Sequence, residues 1–281
     1  MSRYPSINHR LRLLCQALTL VALCACSQGK EAIPGVDVAD AIEAEGIDPA
    51  RSALLIVRLE DGAEWQSGRI DQRFPPASTS KIPHTLIALE TAYATSPEHL
   101  FEWDGVERTF DFWNRDHTLQ TAYRFSAVWA YQRLTSELGH DTMSSWIKKL
   151  DYGNADIGSV DDLTTYWLRG PLEISPREQV NFLARLVREE LPLSAGTYRM
   201  GRQIMQEDQG ENWTLYAKTG WRSDGVNMDI GWYVGWVETV DDGSTGHWLF
   251  AFNMDMPDAA AQAKRKAIVR RALVSLGAIG N

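Results

Sequence analysis

Beyond position 26 the chain has no cysteine: Cys15, Cys24 and Cys26 all fall near its N-terminal end. The remainder therefore has neither an intramolecular disulfide nor a thiol nucleophile. Histidine is thinly spread. His84, His99, His117, His140 and His247 are scattered, with no H-x-E-x-H or H-E-x-x-H spacing, which argues against a metal-dependent hydrolase. Positive charge is also short, 28 Lys and Arg against 37 Asp and Glu, and the net charge of −9 argues against nucleic acid or another polyanion as partner. Repeats and low-complexity runs are absent. The apolar stretch Leu13 to Ala25 is too short to span a bilayer.

What that stretch does suit is export. Arg3, Arg10 and Arg12 form a basic region ahead of it, so residues 1–25 read as a signal segment. Leu23-Cys24-Ala25-Cys26 then has the shape of a lipobox, with Cys26 as first mature residue and lipid attachment point. The rival reading is ordinary cleavage near Ala25 without a lipid. Any membrane attachment is expected through Cys26 alone. Residues 27–281 are long enough for one large domain with a sizeable core, and their net charge of −12 is mainly a statement about solubility. All 11 Trp lie after residue 60, which suits an aromatic core or an aromatic-walled cleft.

Ser52 to Leu59 reads as a buried strand, Asp61-Gly62 as a hairpin turn and Ala63 to Ser67 as the returning strand. From Ser78 to about Arg202 the patterning is helical. Strands resume at Leu215 to Thr219, Ile230 to Val237 and Trp248 to Met254, with a turn at Asp241 to Ser244, and a helix closes the chain from about Ala259 to Leu276. Strands at both ends with helices between predict a mixed α/β (α+β) fold. An antiparallel sheet lobe (about 30–75 and 203–281) is joined to an inserted helical lobe (about 76–202).

Ser78-Thr79-Ser80-Lys81 is the most informative stretch. Positions three apart share a helix face, so the lysine nitrogen reaches the serine oxygen. A serine hydroxyl is a weak nucleophile until a neighbouring base takes its proton, and lysine is a base only when burial or chemistry removes its charge. Alone the spacing says little: Ser145-Trp146-Ile147-Lys148 repeats it on an amphipathic helix, where an exposed serine and a solvated lysine explain it. Three later motifs lift the first. Ser126-Ala127-Val128 opens a helical run and places a hydroxyl at a helix start; Tyr152-Gly153-Asn154 marks a tight turn; Lys218-Thr219-Gly220 ends a strand, its glycine permitting close backbone approach. Each taken singly is a helix cap, a turn or a strand-end lysine.

In that order the four motifs resemble the serine penicillin-recognising enzymes, and specifically the class D, oxacillinase-type β-lactamases. Pro76-Ala77-Ser78-Thr79, Lys81-Ile82-Pro83 and Phe250 to Asp255 read like members of that family, and the resemblance covers nearly all of the mature chain. It is less similar to class A, where S-D-N stands in place of Ser126-Ala127-Val128. Glu173 is better read as a loop charge than as a deacylating base. The resemblance implies a penicillin-recognising fold, with the sheet flanked by N- and C-terminal helices, and β-lactam substrates that Ser78 attacks to give an acyl-enzyme. It implies a periplasmic enzyme conferring β-lactam resistance, monomeric or dimeric. No bound cofactor or metal is implied, but carbon dioxide or bicarbonate would N-carboxylate Lys81 into a general base. Trp167 would donate its indole N–H to that carbamate. Ser126 would relay a proton with Lys218, and the backbone N–H groups of Ser78 and Trp221 would form the oxyanion hole. Val128, Thr219, Gly220 and Arg265 would complete the substrate site.

Arg265 also stands on spacing. At 100° per residue it lies at the centre of the apolar stripe of Ile268, Val269, Ala272, Leu273 and Leu276. An inward arginine needs an anion, either a protein carboxylate or one on a ligand. The chain departs from the family at Ser80, where an aromatic residue is usual, so the pocket beside Lys81 is expected to be roomier or more polar. The rival functions are a non-hydrolysing β-lactam sensor and a cell-wall transpeptidase. A sensor would follow transmembrane helices, and a transpeptidase would carry a polar S-x-N middle motif.

Overall fold

An unbroken apolar run such as Ala53-Leu54-Leu55-Ile56-Val57 suits a strand covered on both faces. The computed structural model, which describes residues 35–280 apart from 224, 226, 227 and 242, has such a sheet. The proposed signal segment and Cys26 lie outside the described residues. In chain order, α1 (Val38–Glu43), β1 (Ser52–Arg58) and β2 (Ala63–Gly68) lead to α2 (Lys81–Glu90). The short pair β3 (Leu100–Phe101) and β4 (His117–Thr118) follows, then α3 (Leu119–Arg124), α4 (Val128–Leu138) and α5 (His140–Leu150). Next come α6 (Tyr166–Arg169), α7 (Pro176–Val187) and α8 (Ala195–Met205). The chain finishes with β5 (Gln206–Gln209), β6 (Trp213–Arg222), β7 (Asp229–Asp241), β8 (Ser244–Met256) and α9 (Gln262–Ser275).

Six strands form one antiparallel sheet in the order β2-β1-β8-β7-β6-β5. Because side chains alternate along a strand, each central strand feeds two cores. Ala53 and Leu55 of β1, with Trp232, Val234 and Trp236 of β7, face the layer built by α2 to α8. Leu54 and Ile56, with Tyr233 and Val237, face α1 and α9. The sheet is thus the middle of three layers, with the N- and C-terminal helices on one side and the inserted helices on the other. Helix α2 is the hub of the inserted part, buried from Lys81 to Leu89, and it takes the polar side chains of Lys81, His84 and Thr85 into the interior with its apolar ones.

Two expectations need correction. The later strands run further than their apolar centres, since β7 and β8 stay paired out to Asp241 and Ser244, where the side chains are exposed. Ser126 does not start a helix. It sits two residues ahead of α4 in a left-handed turn with φ 56°, a conformation costly for a residue with a Cβ.

Candidate active site

Ser78 lies on a 3-10 turn, Ala77–Ser80, that runs into α2. Pro75 and Pro76 have no N–H to give, and Ala77 adopts φ 49°, so the chain bends sharply just before the nucleophile. The bend is pinned to the sheet. Trp232 Nε1 on β7 donates to Pro75 O at 3.0 Å, and Thr79 N–H and Oγ1 donate to Pro76 O at 3.1 and 2.8 Å. Gly220 on β6 is the contact point: a Cβ there would meet Pro76 O at 3.0 Å and Thr79 Cγ2 at 3.1 Å. The glycine of Lys218-Thr219-Gly220 therefore lets the strand approach the turn.

Lys81 Nζ lies 3.0 Å from Ser78 Oγ, and the lysine is wholly buried. Burial first, and the nearby charge of Lys218 second, push its pKa well below the ordinary lysine value, which favours the neutral amine. Ser80, also fully buried, turns its hydroxyl back to Ala77 O at 2.7 Å, so the added polarity is spent on the turn rather than offered to Lys81. Trp167, on α6, is fully buried behind the nucleophile turn and its Nε1 has no hydrogen-bond partner among the described residues. An orphan indole donor and a neutral lysine amine fit a carboxylate-bearing modification of Lys81.

A second serine–lysine pair sits opposite. Lys218 Nζ donates to Ser126 Oγ at 2.7 Å and to Thr219 O at 3.0 Å. Burial drives the Lys218 pKa down to about 7, with Glu207 opposing the shift and Lys266 and Arg265 adding to it. The strained Ser126 turn is held by Ser126 N–H to Tyr123 O and Ala127 N–H to Ala122 O, so its hydroxyl is presented to Lys218 by backbone geometry.

A cleft of about 470 Å³ opens above these pairs. Ser78, Ser126, Val128, Thr219, Gly220, Trp221 and Arg265 line it, while Lys81, Trp167 and Lys218 stand behind its walls. Arg265, 5% exposed, points inward as its stripe requires. Its partners are carbonyls, Gly220 O and Gln262 O, and no protein carboxylate pairs with it among the described residues. Burial lowers its pKa to about 10. Of the two anions open from sequence, a ligand carboxylate is the one for which the cleft has room. Trp221 gives its indole N–H to Asp229 Oδ2 at 2.7 Å.

Tyr152-Gly153-Asn154 lines no part of the cleft. Gly153, at φ 60°, packs so tightly that a Cβ would come within 2.3 Å of Glu173 O. Asn154 bonds Pro171 O and the N–H of Glu173, stapling that loop. Gln179, which the sequence reading missed, bridges the staple to the site, its Nε2 donating to Thr79 Oγ1 at 2.9 Å and to the Tyr152 hydroxyl at 3.2 Å. Glu173 does not line the cleft. The cleft does have an aromatic wall, as the tryptophan content allowed, but the sequence reading missed the residues that form it: Phe110 and Phe112 stack at 5.3 Å beside Trp113 and Phe125. Trp113 Nε1 to Phe125 O and Trp129 Nε1 to Trp113 O fix it. The density of Phe110-Asp111-Phe112-Trp113 in a polar loop was the available signal.

Residues 41–274 match the family described as penicillin binding protein transpeptidase domain. The chain is 42% identical over 212 residues to the β-lactamase OXA-2 of Salmonella typhimurium, 75% of this chain and 73% of that one. It is 41% identical over 206 residues to the β-lactamase OXA-48 of Klebsiella pneumoniae, covering 73% and 75%. The chain belongs to the class D β-lactamases. The class D β-lactamase YbXI from Nostoc superposes with a TM-score of 0.81 at 36% identity, over 86% of this chain and 99% of that one. The class D resemblance read from the four motifs thus extends to the whole fold.

Proposed function

We propose that this class D β-lactamase hydrolyses the β-lactam ring of penicillin-type antibiotics through an acyl-enzyme on Ser78, conferring resistance to them. The observation that carries this reading is the buried Ser78–Lys81 pair at 3.0 Å beneath a cleft that also presents Ser126. Arg265 and Thr219 would take the ring carboxylate, a planar guanidinium being suited to it. Val128 and the aromatic wall would cover the apolar part of the substrate. Ser78 Oγ then bonds to the lactam carbonyl carbon as its own proton leaves towards Lys81. The backbone N–H groups of Ser78 and Trp221 would stabilise the carbonyl oxygen as it gains charge. As the carbon–nitrogen bond breaks, Ser126 gives its proton to the departing nitrogen and recovers one from Lys218. Water cleaves the ester, its hydroxyl going to the acyl carbon and its proton to Ser78. The cycle closes when the proton left at Lys81 is released and Lys218 takes one up.

Carbon dioxide adds to neutral amines, and a carbamate on Lys81, held by Trp167 Nε1, would supply a base for both the Ser78 proton and the hydrolytic water. The basic and apolar N-terminal segment supports export to the periplasm, with Cys26 as a lipid attachment point. Mixing purified protein with excess benzylpenicillin tests the reading. Many turnovers per enzyme are expected, lost in Ser78→Ala. A single stoichiometric acylation that then stalls would make the protein a sensor.

A further inference from the structure

The Ser78–Lys81 spacing continues one step further, to His84. Three-residue steps on a helix keep side chains on one face, and α2 carries Lys81 and His84 in consecutive steps, both fully exposed to protein and not to solvent. His84 is clamped by α6. Its Nε2 lies 2.6 Å from the Tyr166 hydroxyl, and its ring meets Trp167 edge-on at 4.8 Å and 82°. Its Nδ1 has no partner among the described residues, and neither has Trp167 Nε1.

The tautomer follows from satisfying the most groups. With Tyr166 O–H donating to Nε2, both of those atoms are paired and the imidazole proton sits on Nδ1. The reverse arrangement would leave the tyrosine proton and the Nδ1 lone pair both unpaired. Two N–H donors, Nδ1 of His84 and Nε1 of Trp167, are then buried without acceptors in rings that meet edge-on, one helical step along α2 from Lys81. Each costs folding free energy unless an acceptor arrives. A carboxylate offers about four acceptor positions, more than one indole can use.

We propose that His84 is a positioning residue for a carbamate on Lys81, its Nδ1–H and Trp167 Nε1–H together holding the two oxygens. The proposal rests on the reading that Lys81 is carboxylated. Burial above all lowers the His84 pKa to about 3, so the ring is neutral near pH 7 and its single proton is the one assigned to Nδ1.

The test is ¹³C NMR of the full-length protein, stripped of carbon dioxide at low pH and titrated with ¹³C-bicarbonate, reading carbamate occupancy directly. His84→Phe keeps the ring and removes both nitrogens. His84→Asn keeps an amide N–H where Nδ1 stands, and His84→Gln places one nearer Nε2. The bicarbonate needed for half-occupancy should rise about tenfold or more in His84→Phe, the loss of one hydrogen bond to a charged group. It should rise much less in His84→Asn. If His84→Phe does not fold, by circular dichroism, the Asn and Gln variants decide: Asn should bind bicarbonate more tightly than Gln. Wild-type occupancy in His84→Phe, or equal binding by Asn and Gln where Phe is unfolded, overturns the role of His84 and leaves the carbamate standing. Absence of any carbamate signal from wild-type enzyme that still turns over benzylpenicillin overturns the carbamate and the role of His84 together.

Discussion

Two lysines each face a serine in this site, and their surroundings set them apart. Lys81 is buried with another cation as its main charged neighbour, and both effects favour its neutral amine. Lys218 is equally enclosed, but Glu207 partly offsets burial and the cations Lys266 and Arg265, leaving a pKa of about 7. One fold thus keeps one amine ready to be modified and another poised to give up a proton near neutrality. The proposed roles make a signed prediction. Lys218 supplies the proton that Ser126 passes on, so its protonated form is the active one, and kcat/KM should fall as pH rises through about 7. In Lys218→Arg the side chain stays charged, and that limb should vanish from the profile between pH 6 and 9 even if the rate is lower. A wild-type profile flat over the same range would remove Lys218 from proton delivery. His84 shows the limit of residue-scale reading from sequence. Tested against metal spacings its position means nothing, and only the fold of α6 onto α2 gives it Tyr166 and Trp167 as neighbours.

Elements were legible where burial writes a pattern. Strand β1, with its apolar run, was expected over Ser52 to Leu59 and spans Ser52–Arg58. Helix α9 was expected from its stripe, although its first turn, Ala259–Ala261, is a 3-10 turn capped by Asp258. Strand β5 was illegible because Gln206-Glu207-Asp208-Gln209 is polar and exposed throughout, a strand only by pairing with β6 at the sheet edge. Helix α1 has six residues, too few to show a period, and is placed by its Asp37 cap and its packing on α9. The element contact that matters most for substrate lies between β7 and α9. A Cβ at Gly231 would meet Met256 Sδ at 2.4 Å and Arg265 Cδ at 2.8 Å. Both are side-chain atoms able to move, so Gly231→Ala should fold and displace the guanidinium. Its kcat/KM for carboxylate-bearing β-lactams should drop through KM, in the direction of Arg265→Ala, where one lost charge-assisted contact is worth about 1.5–3 kcal/mol, roughly ten- to a hundred-fold. Gly235→Ala is the contrast, since its Cβ would strike the backbone Tyr216 O at 2.1 Å and should cost folding itself. Steady-state kinetics and melting temperature on both variants separate the two effects. Unchanged KM in Gly231→Ala would mean that Arg265 does not depend on the approach of β7.

At the scale of the whole molecule, the site lies where the helical layer meets the sheet, and closing that junction takes three basic groups away from water. Lys81 and His84 come from α2 and Lys218 from β6, all buried, and all with pKa values pushed down mainly by that burial. The unfolded chain has no such junction and binds protons at the ordinary values. For His84 the window runs from 6.5 down to about 3. Between those limits the unfolded state holds a proton that the folded state refuses, so stability rises with pH, and it falls as pH is lowered through the window. A single such group contributes a slope of up to about 1.4 kcal/mol per pH unit. His117, also lowered chiefly by burial, acts in the same direction, whereas carboxylates act mainly below their ordinary values near 4. Denaturant unfolding at several pH values from 6.5 to 4.5 should therefore show falling stability in the wild type. His84→Phe, whatever its absolute stability, should show a shallower slope, because the folded and unfolded chains then differ by one proton fewer. Equal slopes in the two proteins would mean that the imidazole is protonated in the folded state, and that this junction is open to water.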